Sequence, residues 1–375
     1  MLITLTHAAN SLKPIIPCSL LSLSMVPFAS CAIVIGGVSW IVPRRFAEKM
    51  DNILYKSYMR LCLFVFENLS GVEIYLHGGG ASGGGASVVD QNGAPENALL
   101  VSNHQSNVDW IIPVILAARH GENGNEQAFR VMVKSSIHLV PMFGWYIFQH
   151  GYIYVRRFGE FIGAPVLRQL KWLNESSPPF WLLIFPEGTR LSPKKSKLVE
   201  SSNRFLEANG RRPLHNVLCP RSGGLQLALD NLSTLDAIYD VTVMYGQMRM
   251  AGRRGLAPGM FDFCCGPQTY KQLHIHLDRV PIEKVPKEKV ALRNWTIDRF
   301  ERKEKIIDEF YSSEDFSSSQ TVLPCVPISQ TLPPTLFFSA ALIAPFFSPT
   351  VGKIYLMTIA SSPLLIAWLH IRRCV

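Results

Sequence analysis

The stretch ALLVSNHQSNVD, residues 98–109, decides the fold, because it joins an apolar strand to a loop of polar side chains. A second stretch, FWLLIFPEGTR at residues 180–190, repeats this arrangement further along the chain. Apolar runs of this length are typical of buried strands, and active sites of α/β proteins collect where such strands end. We therefore expect both loops to lie at one edge of a sheet.

The surrounding sequence alternates between strand-like and helix-like patterns. Strands are predicted at residues 71–76, 98–102, 129–133, 153–155, 180–185, 217–218 and 237–245. Helices are predicted at residues 46–66, 108–119, 163–174 and 197–209, the last of them stopped by Gly210. Such alternation predicts an α/β fold in which a mixed sheet is flanked by helices.

Both ends of the chain carry apolar stretches without charge. Residues 14–43 are long enough to cross a bilayer, which takes about 20 apolar residues. A signal peptide is the alternative, but its apolar region spans only roughly 7–15 residues. Residues 316–352 form the second stretch; Lys353 then interrupts, and residues 354–369 follow. We expect two short membrane spans that turn back near Ser348-Pro349, with interfacial helices as the alternative.

These boundaries divide the chain into three parts. We expect an N-terminal membrane anchor over residues 1–45, a catalytic domain over residues 46–316 and C-terminal membrane segments over residues 317–375. The repeated GGGAS sequence at residues 78–87 lacks the Lys and Ser/Thr of a P-loop, so it is expected to be a flexible linker inserted into the domain.

The charge distribution predicts the orientation. Arg44, Arg45 and Lys49 follow the first apolar stretch, whereas only Lys13 precedes it, so the positive-inside rule places the middle of the chain in the cytosol. The net charge of +9 favours anionic lipid headgroups as partners over nucleic acid, since no basic patch alternates with aromatic residues. Four N-x-S/T sequons are then expected to stay unmodified, at Asn68, Asn174, Asn231 and Asn294.

The eight cysteines show no metal-binding spacing. A zinc site built from Cys264, Cys265, His274 and His276 is one interpretation, but residues 273–277 alternate like a strand. We therefore expect no metal and no cofactor.

The loop at 103–109 supplies the residues of a general base. His104 has a side chain that titrates near neutral pH, and Asp109 can fix its tautomer if the carboxylate lies in the first turn of a helix beginning near Val108. Ser106 or Asn107 would cap that helix. The alternative is a chance histidine at a strand end, with Asp109 stabilising the helix dipole.

The loop at 185–190 supplies an anion-binding turn. Gly188 permits a tight turn and Arg190 offers a bidentate grip on phosphate. Glu187 would hold an acceptor hydroxyl, orient Arg190 or simply pair with it. Arg157, beyond the strand at 153–155, would share the phosphate or lie on a solvated edge. No G-x-S-x-G nucleophile elbow is predicted, so a covalent acyl-enzyme is not indicated.

At these residues the chain resembles the 1-acylglycerol-3-phosphate acyltransferase family, in its N-H-x4-D and F-P-E-G-T-R blocks. The resemblance implies that His104 and Asp109 are catalytic. It also implies a set of acceptor-binding residues, namely Gly151, Arg157, Glu187, Gly188, Thr189 and Arg190. Tyr154 stands where the family's intermediate block usually has Phe. Residues 217–220 resemble its fourth block, although Arg221 follows where an apolar residue is more usual.

Longer stretches between about Phe46 and Phe310 are similar to the epsilon-type and lysocardiolipin acyltransferase branch. The resemblance implies transfer of an acyl group from acyl-CoA, as cosubstrate, to the sn-2 hydroxyl of lysophosphatidic acid at the endoplasmic reticulum membrane. Another lysophospholipid acceptor, such as lysocardiolipin or lysophosphatidylinositol, is the alternative. A non-catalytic membrane scaffold is the alternative of a different class.

Overall fold

The computed structural model describes residues 15–78, 88–89, 93–156, 163–175, 179–192, 196–250, 253–265, 271–313 and 320–372. The predicted linker at 78–87 lies outside these residues except for Gly78, and so does Arg157. The helices are α1 (Ile15–Leu23), α2 (Met25–Val38), α3 (Arg44–Leu63), α4 (Ile111–Ala117), α5 (Phe143–Gln149), α6 (Gly163–Asn174), α7 (Ser196–Ala208), α8 (Gly223–Asn231), α9 (Met260–Cys265), α10 (Lys289–Ser312), α11 (Ile328–Ile343) and α12 (Pro349–Ile371). The strands are β1 (Glu73–His77), β2 (Ala98–Ser102), β3 (Phe129–Lys134), β4 (Ile153–Val155), β5 (Trp181–Ile184), β6 (Ala237–Tyr245), β7 (Arg249–Met250), β8 (Arg253–Arg254), β9 (Gln272–Pro281) and β10 (Gln320–Leu323).

Eight of the described strands form one mixed sheet, in the order β10-β1-β9-β6-β2-β5-β3-β4. Strands β4, β3, β5, β2 and β6 are parallel to one another, whereas β9 is antiparallel to β6. Every residue of β2, β5 and β6 is buried. Continuous apolar strands of this kind belong in the centre of a sheet covered on both faces. The predicted α/β fold with a mixed sheet is confirmed.

Two local predictions were wrong. Val217 and Leu218 lie in a loop and not in a strand. Helix α4 is also shorter than the predicted helix over 108–119, because residues 107–110 form turns in which Val108 N donates to Ser106 Oγ at 3.0 Å. Elsewhere the predicted stop of α7 is confirmed, since Gly210 has a φ of 70°.

Two segments of the described chain are long and apolar enough to cross a bilayer. They are Ile15–Val38, with 24 residues, and Pro349–Ile371, with 23 residues. The first is divided into α1 and α2 at Ser24, because Pro27 has no N–H to donate to the carbonyl of Leu23. The second runs through Lys353, which was expected to interrupt it. Helix α11 has only 16 residues and contains Pro333 and Pro334, so it falls short of the expected span.

Helices α11 and α12 form a hairpin whose outer ends contact the rest of the protein. At its start, Arg60 donates to Gln330 at 3.2 Å. At its end, the ring of His370 stacks on that of His138, with centroids 5.6 Å apart. Between these points Ser30 of α2 and Thr358 of α12 share a buried hydrogen bond of 2.8 Å. Helix α2 of the N-terminal apolar segment and helix α12 of the C-terminal one therefore pack against each other.

Candidate active site

The loops that follow β2 and β5 meet at one edge of the sheet. These strands are hydrogen-bonded neighbours and run parallel, so their carboxyl ends point the same way. The backbone joins the two loops, because Leu191 N donates to His104 O at 2.9 Å. Strand β6 is parallel to β2 on its other side and ends at Tyr245 on the same edge. The expected meeting of the two motifs is confirmed.

His104 and Asp109 form a hydrogen-bonded pair in the first of these loops. His104 Nδ1 lies 2.8 Å from Asp109 Oδ2. The same oxygen accepts from the backbone N–H groups of Gln105 at 2.7 Å and Ser106 at 2.9 Å. The carboxylate is thus turned back over the loop that carries the histidine. A carboxylate surrounded by donors requires the imidazole to place its proton on Nδ1, which leaves the lone pair on Nε2.

The histidine ring is fixed by its surroundings. It stacks on Phe185 with ring centroids 4.1 Å apart, and its side chain is 19% exposed. Asp109 is fully enclosed. This arrangement orients the imidazole while leaving part of its side chain exposed, as a general base requires.

Two amides before and after His104 attach the loop to β6. The side-chain amide of Asn103 donates to Val243 O at 3.1 Å and accepts from Val243 N at 2.8 Å. It therefore makes with β6 the pair of hydrogen bonds that a backbone peptide would make in a sheet. Gln105 Nε2 donates to the same carbonyl at 2.5 Å. Arg254 in turn donates to Gln105 Oε1. The backbone around His104 is therefore held from both sides.

Glu187 connects three loops from a buried position. Its Oε1 accepts from His104 N at 2.6 Å, and its Oε2 accepts from Leu218 N at 3.0 Å. Burial raises the pKa of Glu187 to about 8, although the two N–H donors lower it. The expected roles were to hold an acceptor hydroxyl or to pair with Arg190. In the structure each carboxylate oxygen accepts from a backbone N–H group, and the binding of an acceptor by Glu187 stays a prediction.

The rest of the second motif forms a tight turn at the rim of the site. Gly188 has a φ of 69°, in the left-handed region that favours glycine, and its N–H donates to Phe185 O at 3.0 Å. Thr189 is half-buried, and the side chain of Arg190 is exposed. The turn therefore leaves the Arg190 side chain exposed, one residue before Leu191, whose N–H binds His104 O.

Gly151 lies apart from these residues. It precedes the short strand β4 by two residues, so it is at the opposite edge of the sheet from the His104 loop. Its φ is 90°, and a Cβ there would lie 2.2 Å from Trp172 Cζ3. Arg156 follows β4 at the same edge as His104, whereas Arg157 is outside the described residues. Tyr154 fits in place of the usual Phe because its hydroxyl donates to Gly144 O.

Comparisons with known proteins agree with this arrangement. The family model described as Acyltransferase matches residues 86–246, which include both loops, and the model described as Acyltransferase C-terminus matches residues 265–338. The 1-acyl-sn-glycerol-3-phosphate acyltransferase epsilon of Mus musculus is 34% identical over 366 residues, covering 96% of this chain and 96% of the relative. The chain belongs to the 1-acyl-sn-glycerol-3-phosphate acyltransferase family.

Other members of the 1-acyl-sn-glycerol-3-phosphate acyltransferase family and its relatives match shorter stretches. A probable 1-acyl-sn-glycerol-3-phosphate acyltransferase 5 of Arabidopsis thaliana is 29% identical over 278 residues, covering 74% of this chain and 67% of the relative. Lysocardiolipin acyltransferase 1 of Gallus gallus is 31% identical over 236 residues, covering 61% of this chain and 59% of the relative. The resemblance stated from the sequence is confirmed.

Sequence reasoning missed several residues that support the site of this acyltransferase. Tyr245 donates to Asp109 Oδ1 at 2.5 Å. Glu304 on α10 accepts from the backbone N–H groups of Asn216 at 2.8 Å and Val217 at 3.2 Å, and so holds the loop that offers Leu218 N to Glu187. The one available signal was that Tyr245 is a polar residue at the end of a predicted strand.

Replacing Glu187 with glutamine tests its position in this acyltransferase. A glutamine side chain has one acceptor and would turn its NH₂ group toward a backbone donor. We expect the free energy of unfolding to fall by about 1–3 kcal/mol, the cost of leaving a buried donor unsatisfied. Thermal unfolding of the detergent-solubilised protein measures this, with Glu200→Gln on the exposed face of α7 as the matched control. An unchanged melting temperature together with a raised KM for the acceptor would instead identify Glu187 as a substrate ligand.

Proposed function

We propose that this protein transfers a fatty acyl group from acyl-CoA to the sn-2 hydroxyl of lysophosphatidic acid, giving phosphatidic acid and free CoA. The observation that carries the proposal is the oriented His104–Asp109 pair, in a chain 34% identical along nearly its whole length to an acyltransferase named for 1-acylglycerol-3-phosphate. The family supplies the reaction class, and the geometry supports a histidine base.

The catalytic step uses His104 without a covalent enzyme intermediate. Nε2 accepts the proton of the acceptor hydroxyl while the oxygen attacks the thioester carbonyl carbon. The C–S bond then breaks, and the departing CoA thiolate takes the proton from the imidazolium. Asp109 keeps the Nδ1 proton in place and stabilises the imidazolium formed in between. The step requires neither a metal nor a cofactor.

The phosphate of the acceptor is assigned to arginine side chains at the rim of the site. Arg190 is exposed next to the His104 loop, and its guanidinium can bind phosphate through two parallel hydrogen bonds. Arg157 is proposed as the second ligand from its place in the sequence. Gly188 and Thr189 shape the turn that presents Arg190. Gly151 and Glu187, by contrast, have structural contacts that explain their presence without a bound substrate.

A panel of acceptors tests the substrate. Membranes that contain the protein are given one acyl-CoA, and CoA release is followed with lysophosphatidic acid, lysocardiolipin and lysophosphatidylinositol in parallel. We expect the highest kcat/KM with lysophosphatidic acid. The similarity to lysocardiolipin acyltransferase 1 makes lysocardiolipin the second candidate, and faster turnover with it would replace the proposed acceptor. Absence of CoA release with every acceptor would favour a scaffold.

We propose that the protein is an integral membrane protein of the endoplasmic reticulum, with residues 46–316 in the cytosol. The basic residues after α2 support this side by the positive-inside rule. The C-terminal hairpin supports it as well, because both of its ends contact the remainder of the chain, through Gln330 and His370. The ends of the hairpin would therefore share the cytosolic side.

Protease added outside sealed microsomes is expected to digest the catalytic part and to leave a protected C-terminal hairpin fragment. Detergent should abolish that protection. The sequons are a weaker test, because they lie in folded elements: Asn68 is hydrogen-bonded to Thr331, and Thr296 of the last sequon is buried. Full protection of the catalytic part in intact microsomes would reverse the assigned orientation.

A further inference from the structure

Asp109 has a second oxygen that the His104 pair does not use. Oδ2 faces His104 and two backbone N–H groups, whereas Oδ1 accepts from the hydroxyl of Tyr245 at 2.5 Å. Among the residues that the structure describes, Tyr245 is the one that donates a hydrogen bond to Oδ1. The carboxylate is buried, so an oxygen without a donor would be costly there. The orientation of the carboxylate plane thus depends on a residue of strand β6, which is distant in sequence.

The phenol of Tyr245 is itself held rigidly. Tyr245 is the last residue of β6 and is fully buried. Its backbone N–H donates to the hydroxyl of Tyr311 on α10 at 3.1 Å, and its ring packs edge-on against Phe263 of α9 with centroids 5.9 Å apart. Burial, together with Asp109, raises the pKa of Tyr245 well above its usual value. The phenol therefore remains a proton donor throughout the working pH range.

The ionisable groups around Asp109 come from different elements. Tyr245 contacts it from β6, and Tyr311 approaches from α10. Glu187 lies on the loop after β5, and Arg254 lies on β8, where burial lowers its pKa. Glu187 and Arg254 carry opposite charges when ionised, and each is bound to other partners. Tyr245 is the group among them that donates a hydrogen bond to the carboxylate itself.

We propose that Tyr245 is a positioning residue of the acyl transfer reaction, which fixes the Asp109 carboxylate so that Oδ2 accepts a hydrogen bond from Nδ1–H of His104. The inference rests on the proposed role of His104 as the base. By sharing the negative charge of Asp109, the hydroxyl also limits how strongly the carboxylate holds an imidazolium. Tyr245 thus sets both the tautomer and the basicity of His104 without touching the substrate.

Tyr245→Phe removes only the hydroxyl and tests the inference. We expect kcat to fall about 10- to 100-fold, the loss that follows when a hydrogen bond to a charged group no longer supports the transition state. The KM values of both substrates should stay near wild type, because the phenol contacts neither. With the carboxylate charge concentrated on Oδ2, the acid limb of the kcat/KM profile should move to higher pH.

Tyr239→Phe is the matched control. Tyr239 is a buried tyrosine on the same strand and the same face, six residues earlier, and its hydroxyl bonds to Glu96. This variant should keep the wild-type kcat and pH profile. Equal behaviour of the two variants, or a change confined to KM, would overturn the role of Tyr245.

A measurement that does not depend on turnover separates this inference from the proposed function. The pH dependence of carbethoxylation of His104, followed by mass spectrometry of its peptide, reports the titration of the imidazole. The midpoint of this titration should rise in Tyr245→Phe and should not change in Tyr239→Phe. When Tyr245→Phe is added to Asp109→Asn, the midpoint should stay at the value of Asp109→Asn alone. An unchanged midpoint in folded Tyr245→Phe refutes the inference, even if wild-type turnover confirms the function.

If Tyr245→Phe does not fold, 3-fluorotyrosine at position 245 carries the test instead. It keeps the hydroxyl and nearly the same size, and its more acidic phenol is a stronger donor to Asp109. The midpoint of His104 should then move to lower pH. A midpoint equal to that of the wild-type protein would refute the inference.

Discussion

His104→Ala is expected to lower the kcat of CoA release by about 10²–10⁴-fold, the usual contribution of a positioned general base. The reason is that Nε2 is the accessible nitrogen of a ring whose other nitrogen is bound to Asp109. Steady-state kinetics on membranes at matched protein levels measure the effect. The fold should survive, since the backbone N–H and C=O of residue 104 keep their bonds to Glu187 and Leu191.

His215→Ala is the matched control for the loss of an imidazole. The His215 side chain is exposed, so its removal should leave both kcat and the melting temperature unchanged. A His104→Ala variant that retains most of the wild-type rate would show that another group removes the proton. If His104→Ala loses activity only because less of the protein is folded, its kcat per folded molecule will equal that of the wild type. That result would also contradict the assigned base.

Gly151→Ala is expected to destabilise the fold strongly while changing KM little in the protein that remains folded. Two costs add: about 1–2 kcal/mol for an L-residue in a left-handed conformation, and about 1–3 kcal/mol for forcing a methyl group into a packed site. The second cost arises because the new Cβ would lie 2.2 Å from the Trp172 ring. Thermal unfolding and KM for both substrates, measured on the same preparation, give the two readouts.

Gly71→Ala separates the two costs. Gly71 has a φ of 64° and nothing within 4 Å of its missing Cβ, so alanine there meets the conformational cost alone. The melting temperature of Gly151→Ala should fall well below that of Gly71→Ala, and Trp172→Leu should recover part of the difference. If Gly151→Ala keeps its stability but binds the acceptor poorly, Gly151 belongs to the substrate site after all.

The candidate pair was predictable because its members are close in sequence. His104 and Asp109 are five positions apart, and the carboxylate is directed back to the histidine as expected. The expected helix cap was wrong, because α4 begins only at Ile111 and has no side-chain cap, and Ser106 Oγ instead accepts from Val108 N in the turn before the helix. The strands were predictable for a similar reason, since a short continuous apolar run such as Trp181–Ile184 is typical of a strand inside a covered sheet.

Predictions failed where a structural element was inferred from a short sequence pattern alone. Val217 and Leu218 are as apolar as a strand, yet the N–H groups of this segment bond to Glu304 and Glu187 and not to a neighbouring strand. Lys353 was expected to interrupt the second apolar stretch. A single lysine is compatible with a helix, and its long aliphatic stem can lie along an apolar surface, so α12 continues through it.

The sequence by itself determined the parallel strands, the two loops and the candidate base with its carboxylate partner, because these depend on local hydrophobic patterns and on residues a few positions apart. Only the tertiary structure decided what holds them. Tyr245 reaches Asp109 across 136 positions, and Glu187 reaches His104 N across 83. Such contacts depend on strand order and register, which many distant apolar contacts fix together, so no local pattern records them.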